Sequence, residues 1–489
     1  MPYSSFADFI TTARSHRSKT AALNSFNRLE AANAAQDYLP QEGVAPAFFP
    51  GHHIYVKLEL RVGLLTSSDN AERKKSITLL ADLVEGVRNI LHGFDGGALL
   101  EAQGPVVHGF LPDDLDTPDN PRIAALAIRA FVEGAIRPRA GDDFRKVLIA
   151  YCHGQSLFVA TVDLHGDNSV VSLAPAANAP AKVLWANSDR FPSGSILEVK
   201  CDGGFRILTL DDLRLAENTR SREMIVNCAN HGSLQKIAAK EMTIPFPSSP
   251  DSPTVEEPHE SYSISVRADM DGFTSRVRQA FGQGRDAAIE LAHEFYAVMV
   301  HAREFSHTAS AIHLPWAGDC FNLLIAVDDR NEYQKNRKRL ILEILPRFAD
   351  HMRAKFPNLK WSYSCAAGDV ENAQKCNTLV SRIEVGDTSL LLATGLPVER
   401  SLQGLAQESP CAHNGVLWKG DVEALAEDLK SIIKPCSGGE SFRHFALGDI
   451  GNSIRKTFFI PPKTAYDSPV GRVAPAIVVP TVRPYSNRD

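Results

Sequence analysis

Nowhere in its 489 residues does the chain hold an apolar run approaching the roughly 20 positions that a bilayer crossing needs. No membrane-spanning role is expected. The opening stretch MPYSSFADFITTARSHRSKT lacks the continuous apolar segment of a secretory signal, and a cytoplasmic location is expected. The eight cysteines, Cys152, Cys201, Cys228, Cys320, Cys365, Cys376, Cys411 and Cys436, never stand as a C-x-x-C pair. That scatter argues against a zinc site and against a disulfide framework. A net positive charge is lacking too. With 52 Lys and Arg against 58 Asp and Glu, the net charge is −6 and the pI about 6.3, so no broad basic field exists to hold nucleic acid. What the chain does have is 44% hydrophobic and 22% charged residues, the composition of a globular protein, at a length that calls for more than one domain.

The clearest interruption is IPFPSSPDSPTVEEPHE, residues 244–260, whose proline, serine and acidic side chains cannot build a core. Around this linker the expected divisions are a helical leader at 1–45, a domain at 46–243, a second at 261–435 and a tail at 436–489. The order of elements is alike on both sides of the linker. IYVKLELRVGLL (54–65) set beneath SISVRADMDGFT (263–274) brings Gly63 under Gly272. Further along, Gly104 falls under Gly318 and Gly154 under Gly368, and Lys240, Ile244 and Pro245 anticipate Lys456, Ile460 and Pro461. Such a register, slipping by only a few residues, is what tandem duplication produces. The fold class expected is α/β (α+β): two copies of a mixed sheet with helices on one face, in the manner of ferredoxin-like βαββαβ units.

Chemistry concentrates in VRADMDGFTSRV. A β-branched strand runs into Asp269, passes Gly272 and opens an amphipathic helix. An acid at a strand end can hold a metal, and the free N–H groups of a helix start can hold phosphate oxygens. The second acid is Asp319, which follows Gly318 in a turn between apolar strands. Neighbouring strands would carry Asp269 and Asp319 side by side, an arrangement that divalent cations reconcile.

Asp-Met-Asp-Gly-Phe-Thr (269 to 274) followed by Ala-Gly-Asp (317 to 319) resembles the D-I-x-G-F-T and G-D signatures of class III nucleotidyl cyclases. The resemblance implies two divalent metal ions, Mn2+ or Mg2+, held at Asp269, Met270 and Asp319. It also implies a triphosphate cradled by Asp271, Gly272, Phe273 and Thr274, and catalysis at the interface of two cyclase-fold domains. Alignment places Leu60 under Asp269 and Pro105 under Asp319, so the first copy is expected to be degenerate. An intramolecular pair with one catalytic site is favoured over a homodimer of C-terminal domains. The transition-state pair N-x-x-x-R of the family aligns loosely with Glu399 and Gln403, or with Lys182 and Ala186, and neither copy retains it. Arg267, Lys375 and Lys182 are the candidate cationic helpers.

The purine-reading position of the family, four residues before the second acid, is Pro315 in the second copy and Glu101 in the first. A carboxylate accepts from N–H, so Glu101 suits uracil or guanine, while adenine and cytosine present an acceptor at that place. With the purine signature absent, the chain looks most like the uridylate cyclases of Pycsar antiphage systems. That likeness implies conversion of UTP to cyclic UMP, which would activate an effector, a TIR or membrane protein. A cytidylate or purine cyclase is the alternative, and a non-catalytic nucleotide sensor the alternative of another class.

Overall fold

The computed structural model describes residues 46–209, 237–239, 242–244, 254–255 and 259–446, apart from 62–63, 65–66, 68, 114–117, 163–167, 309–311, 328, 330, 334–344, 368–376, 386–387, 408–413, 419–421, 423–429 and 437–438. Expectations for the leader, most of the tail, Gly63, Lys240, Gly368 and Lys375 lie outside the described residues.

The first sheet contains β1 (Ala47–Leu60), β2 (Ala98–Gln103), β3 (Val106–Pro112), β4 (Phe144–Val162), β5 (Asn168–Leu173), β6 (Ser195–Val199) and β7 (Phe205–Ile207). Its order is β2-β3-β1-β4-β6-β7, with β5 pairing the far end of β4. Between the strands run α1 (Asn70–His92), α2 (Asn120–Phe131) and α3 (Pro175–Asn187). Alternation along β1 decides its two faces. Ile54, Val56 and Leu58 enter the core under α1 and α2, while Tyr55 joins α3 on the opposite side. Helices therefore cover both faces, not one as expected, because α3 has its own apolar stripe of Ala176, Ala177, Val183 and Leu184. Helix α1 starts where the Asp69 carboxylate accepts the Ala71 N–H at 2.8 Å, a normal N-cap.

After short strands β8 (Ile237–Ala239), β9 (Met242–Ile244) and β10 (Thr254–Val255), the plan repeats. β11 (His259–Met270) is followed by α4 (Phe273–Gln283), α5 (Arg285–Thr308), β12 (Ile312–Ala317), β13 (Cys320–Val327), α6 (Leu345–Lys355), β14 (Trp361–Ala367), β15 (Asn377–Val385), β16 (Thr388–Gly395), α7 (Leu396–Gln407), β17 (Asn414–Trp418), β18 (Lys434–Cys436) and β19 (Gly439–Ala446). The run β12-β13-β11-β14-β17-β19 reproduces β2-β3-β1-β4-β6-β7, including a parallel pair, β14 with β17, where β4 meets β6. Two units of one plan stand in tandem.

The two units share their cores. Phe48, Leu157, Val159, Val171 and Leu173 of the first copy are buried in one cluster with Val277, Phe295 and Met299 of the second. In return, Ile383 and Leu392 of β15 and β16 join the cluster under α1. Each copy thus lends strand ends to the helix layer of the other, and apolar area buried at about 25 cal/mol per Å² holds them together.

Candidate active site

Asp269, the penultimate residue of β11, pairs with Cys320 of β13 and with Ser362 of β14. Asp319 is one residue before Cys320, so the sheet sets the two carboxylates beside each other. The turn that carries Asp319 needs φ = +58° at Gly318, a left-handed conformation that costs a side-chain-bearing residue about 1 kcal/mol or more. Gly104, which aligns with it, has φ = +52°. The duplicated turn is visible in the backbone itself.

Burial and the two neighbouring carboxylates push both acids up. Asp269 rises to about 6, mainly through desolvation and then through Asp271, with Lys182 opposing. Asp319 rises well above the ordinary range through desolvation and then the Asp269 charge, again with Lys182 opposing. Nearby, Asp271 accepts from the Ser362 hydroxyl at 2.7 Å with one oxygen, and its other carboxylate oxygen is buried without a hydrogen bond. Crowded carboxylates with an unsatisfied oxygen fit divalent cations. Among the described residues no group of three or more His, Cys, Asp or Glu side chains stands in a metal-binding array. The Asp269 and Asp319 carboxylates are the donors that would hold such a cation.

Gly272 takes φ = +72° and caps α4, whose first turn leaves N–H groups without in-helix acceptors. Phe273 turns into the core against Phe295, and its ring anchors the start of the helix. Thr274 faces the other copy. Its hydroxyl lies 3.2 Å from Lys182 Nζ and 3.3 Å from Asn178 Nδ2, both donors from α3. This corrects the alignment of the pair. Counted from the helix starts, Asn178 and Lys182 match Glu399 and Gln403, and Ala186 is one turn too far. The first copy therefore retains an N-x-x-x-K pair. Asn178 was missed because Ala-Ala-Asn-Ala-Pro-Ala-Lys has no glycine to fix its register.

Leu60 is a second correction. Lys57 pairs with Val106 and Leu148 as Asp269 pairs with Cys320 and Ser362, so Lys57 holds the equivalent strand position. Leu60 is buried in the first core. Lys57 Nζ sits 3.0 Å from Glu59 Oε1 and 4.5 Å above the Trp185 ring. An ammonium now occupies the place of a cation ligand.

The remaining candidates divide. Arg267 is buried and donates to Asn322 Oδ1 at 2.8 Å and Ser401 Oγ at 3.3 Å, which commits it to the interior of the second copy. Glu399 is raised by burial, with Arg267 opposing. Glu101 reaches across the copies: its carboxylate accepts the Gly318 backbone N–H, beside Asp319. Burial nonetheless lifts it to about 8. Its Oε1 is 3.1 Å from His108 Nδ1. Tyr55, stacked on His108 at 4.0 Å, lies in the field of both Glu101 and Asp319.

No family model and no curated protein matches the chain. Among solved structures, a class III adenylyl cyclase-like ATP-binding protein from Pseudomonas aeruginosa aligns with 88% of this chain and 98% of its own, at 13% identity and a TM-score of 0.58. That likeness establishes the fold, across both copies. The adenylyl cyclase CyaB from P. aeruginosa covers 38% of this chain and 95% of its own at 11% identity, with a TM-score of 0.29. The guanylyl cyclase Cya2 covers 38% and 90% at 10% identity, with a TM-score of 0.26. None of the described helices is long and apolar enough to cross a membrane.

Proposed function

We propose that the chain is a nucleotidyl cyclase that converts UTP to 3′,5′-cyclic UMP and pyrophosphate in a site formed between its own two copies. The observation that carries this reading is the carboxylate pair Asp269 and Asp319 of one copy, faced by Asn178 and Lys182 of the other at Thr274. Divalent cations held by Asp269, Asp319 and the Met270 carbonyl would lower the pKa of the ribose 3′-hydroxyl and neutralise triphosphate charge.

The chain's own groups do the rest. Backbone N–H groups from Gly272 to Thr274 bind phosphate oxygens at the helix start. Lys182, already in the field of both acids, places its ammonium where negative charge develops on the phosphoryl group, and Asn178 adds an amide donor. Positioning the 3′-oxygen in line with the α-phosphorus supplies much of the acceleration. Glu101, at the turn of Asp319, accepts a base N–H and so favours uracil. Cytidylate or purine cyclisation is the alternative for the base. By the Pycsar resemblance the cyclic product serves antiphage defence by activating a TIR or membrane effector.

One observation favours a second reading. The structural relative aligned over both copies is described as an ATP-binding, cyclase-like protein, and a nucleotide-binding protein without turnover would need the same fold. Incubation with ATP, GTP, CTP and UTP in Mn2+, with products identified by mass spectrometry, separates the readings. Cyclic UMP supports the first, and binding without any cyclic product supports the second.

A further inference from the structure

A line of buried polar groups runs behind Glu101 that the chemistry above does not use. His108 Nδ1 meets Glu101 Oε1 at 3.1 Å, and His108 Nε2 meets His53 Nδ1 at 2.9 Å. His53 Nε2 then meets Ser156 Oγ at 2.6 Å and Ser172 Oγ at 3.3 Å. His53, Ser156, Ser172 and His108 are all buried, at 0%, 0%, 7% and 4% exposure. Buried polar groups of this kind persist when every member is satisfied. Tyr55 lies flat on the His108 ring and holds its plane.

The protons in such a line can be followed. Burial holds both rings neutral, His108 down to about 3 and His53 well below its usual value, so each ring has one N–H and one lone pair. Two hydroxyls converge on His53 Nε2, and both can donate only if that nitrogen is bare. The His53 proton is then on Nδ1 and is donated to His108 Nε2. That leaves the His108 proton on Nδ1, donated to Glu101. Every bond points the same way and ends on Glu101, where the His108 and Gly318 N–H donors favour the ionised, accepting carboxylate against the burial that lifts it to about 8.

We propose that His108, backed by His53 and the Ser156 and Ser172 hydroxyls, is a positioning residue that presents Glu101 as a hydrogen-bond acceptor across the interface. The base selected is thereby one with an N–H at that point, uracil rather than cytosine. The inference rests on Glu101 reading the base, as proposed above. With Oε1 fixed by His108 and the carboxylate braced by the Gly318 N–H, the lone pairs left over have a set direction. A glutamate without this backing could rotate or present a proton, and either change erodes the distinction between the two pyrimidines.

The test measures affinity, apart from turnover: isothermal titration of UTP and of CTP in Ca2+ buffer, on the full chain. Glu101→Gln, His108→Phe and His108→Gln are compared with the unaltered protein. Phenylalanine keeps the stack on Tyr55 without ring nitrogens, and glutamine can still donate to Glu101. The expected result is a UTP-to-CTP affinity ratio that falls about tenfold in His108→Phe, as one misdirected hydrogen bond allows, and recovers in part in His108→Gln. If Glu101→Gln lowers the ratio and His108→Phe does not, the relay is overturned and the reading of Glu101 stands. If neither changes the ratio, Glu101 does not read the base and both fall. Equal weakening of UTP and CTP in His108→Phe marks a purely structural role and overturns the inference. Should His108→Phe fail to fold, Ser156→Ala with Ser172→Ala removes the donors at the far end. An unchanged ratio there overturns the inference as well.

Discussion

Asp269 and Asp319 are both raised, Asp269 by burial and then the Asp271 charge, Asp319 by burial and then the Asp269 charge, and that strain in the charge distribution has a pH signature. A carboxyl raised in the folded state binds more protons there than in the unfolded chain, so its stability term worsens as pH climbs from the unfolded value to the folded one. For Asp269 that window runs from 3.8 to about 6, and the penalty is fully present above it. Asp319 acts in the same direction. A divalent cation that binds the ionised pair relieves the repulsion and stabilises the native state by mass action. The rise in melting temperature on adding Mn2+ should therefore be larger near pH 8 than near pH 5, as differential scanning fluorimetry would read. An equal rise at both values would count against the pair as metal ligands. Asp319→Asn should raise the melting temperature of the metal-free chain, abolish the Mn2+ response and remove cyclic product, since several kcal/mol of transition-state stabilisation goes with a catalytic metal.

At the scale of elements, turns and helix registers carry the site. Gly318 and Gly104 offer a matched comparison, because both are left-handed but their surroundings differ. A Cβ at Gly318 would meet Asn178 Oδ1 at 3.5 Å, whereas one at Gly104 meets nothing within 4 Å. Both Gly→Ala changes should cost about 1 kcal/mol in denaturant unfolding through φ alone. Only Gly318→Ala, which strains the turn that carries Asp319 and sets a methyl in contact with Asn178, should lower turnover, and equal activity in the two variants would contradict that. On α3, Asn178→Ala and Lys182→Ala should each reduce kcat by roughly 10- to 1000-fold with little change in KM, as expected for groups acting on developing charge. A loss confined to KM would mean that they only hold the substrate.

Those elements also mark how far the sequence could be read. Gly104 and Gly318 were legible because a left-handed turn demands glycine, and the same demand pinned Asp319. Asp269 was legible because strand, acid and helix start follow one another within a few residues. The exchange of Leu60 for Lys57 was not, since the first copy inserts three more residues between that strand position and Gly63 and no periodicity records them. Asn178 escaped for a related reason: a helix with proline at its first turn and alanine along its stripe can be slid by a turn without an apolar mismatch. Glu101 was placed by its distance from the turn, yet nothing in the sequence reveals the buried line of His108 and His53 behind it, which only strand pairing assembles.

For the whole molecule, the reciprocal loan of strand ends makes one chain its own partner. On the proposed function, the acids of one copy and Lys182 of the other belong to a single site in each chain, and activity per chain should not depend on concentration. Mixing Asp269→Ala chains with Lys182→Ala chains separates this arrangement from a homodimer. Within-chain sites leave every site in the mixture with one defect, so no activity returns, whereas recovery of product would indicate sites shared between chains. The most direct measurement of the central claim is the incubation of the intact chain with UTP and Mn2+, followed by mass spectrometry of the products. The account predicts 3′,5′-cyclic UMP with stoichiometric pyrophosphate, lost in Asp269→Ala and in Asp319→Ala while circular dichroism stays native. Cyclic product undiminished in either variant, or none from any of the four triphosphates with the unaltered chain, would contradict it.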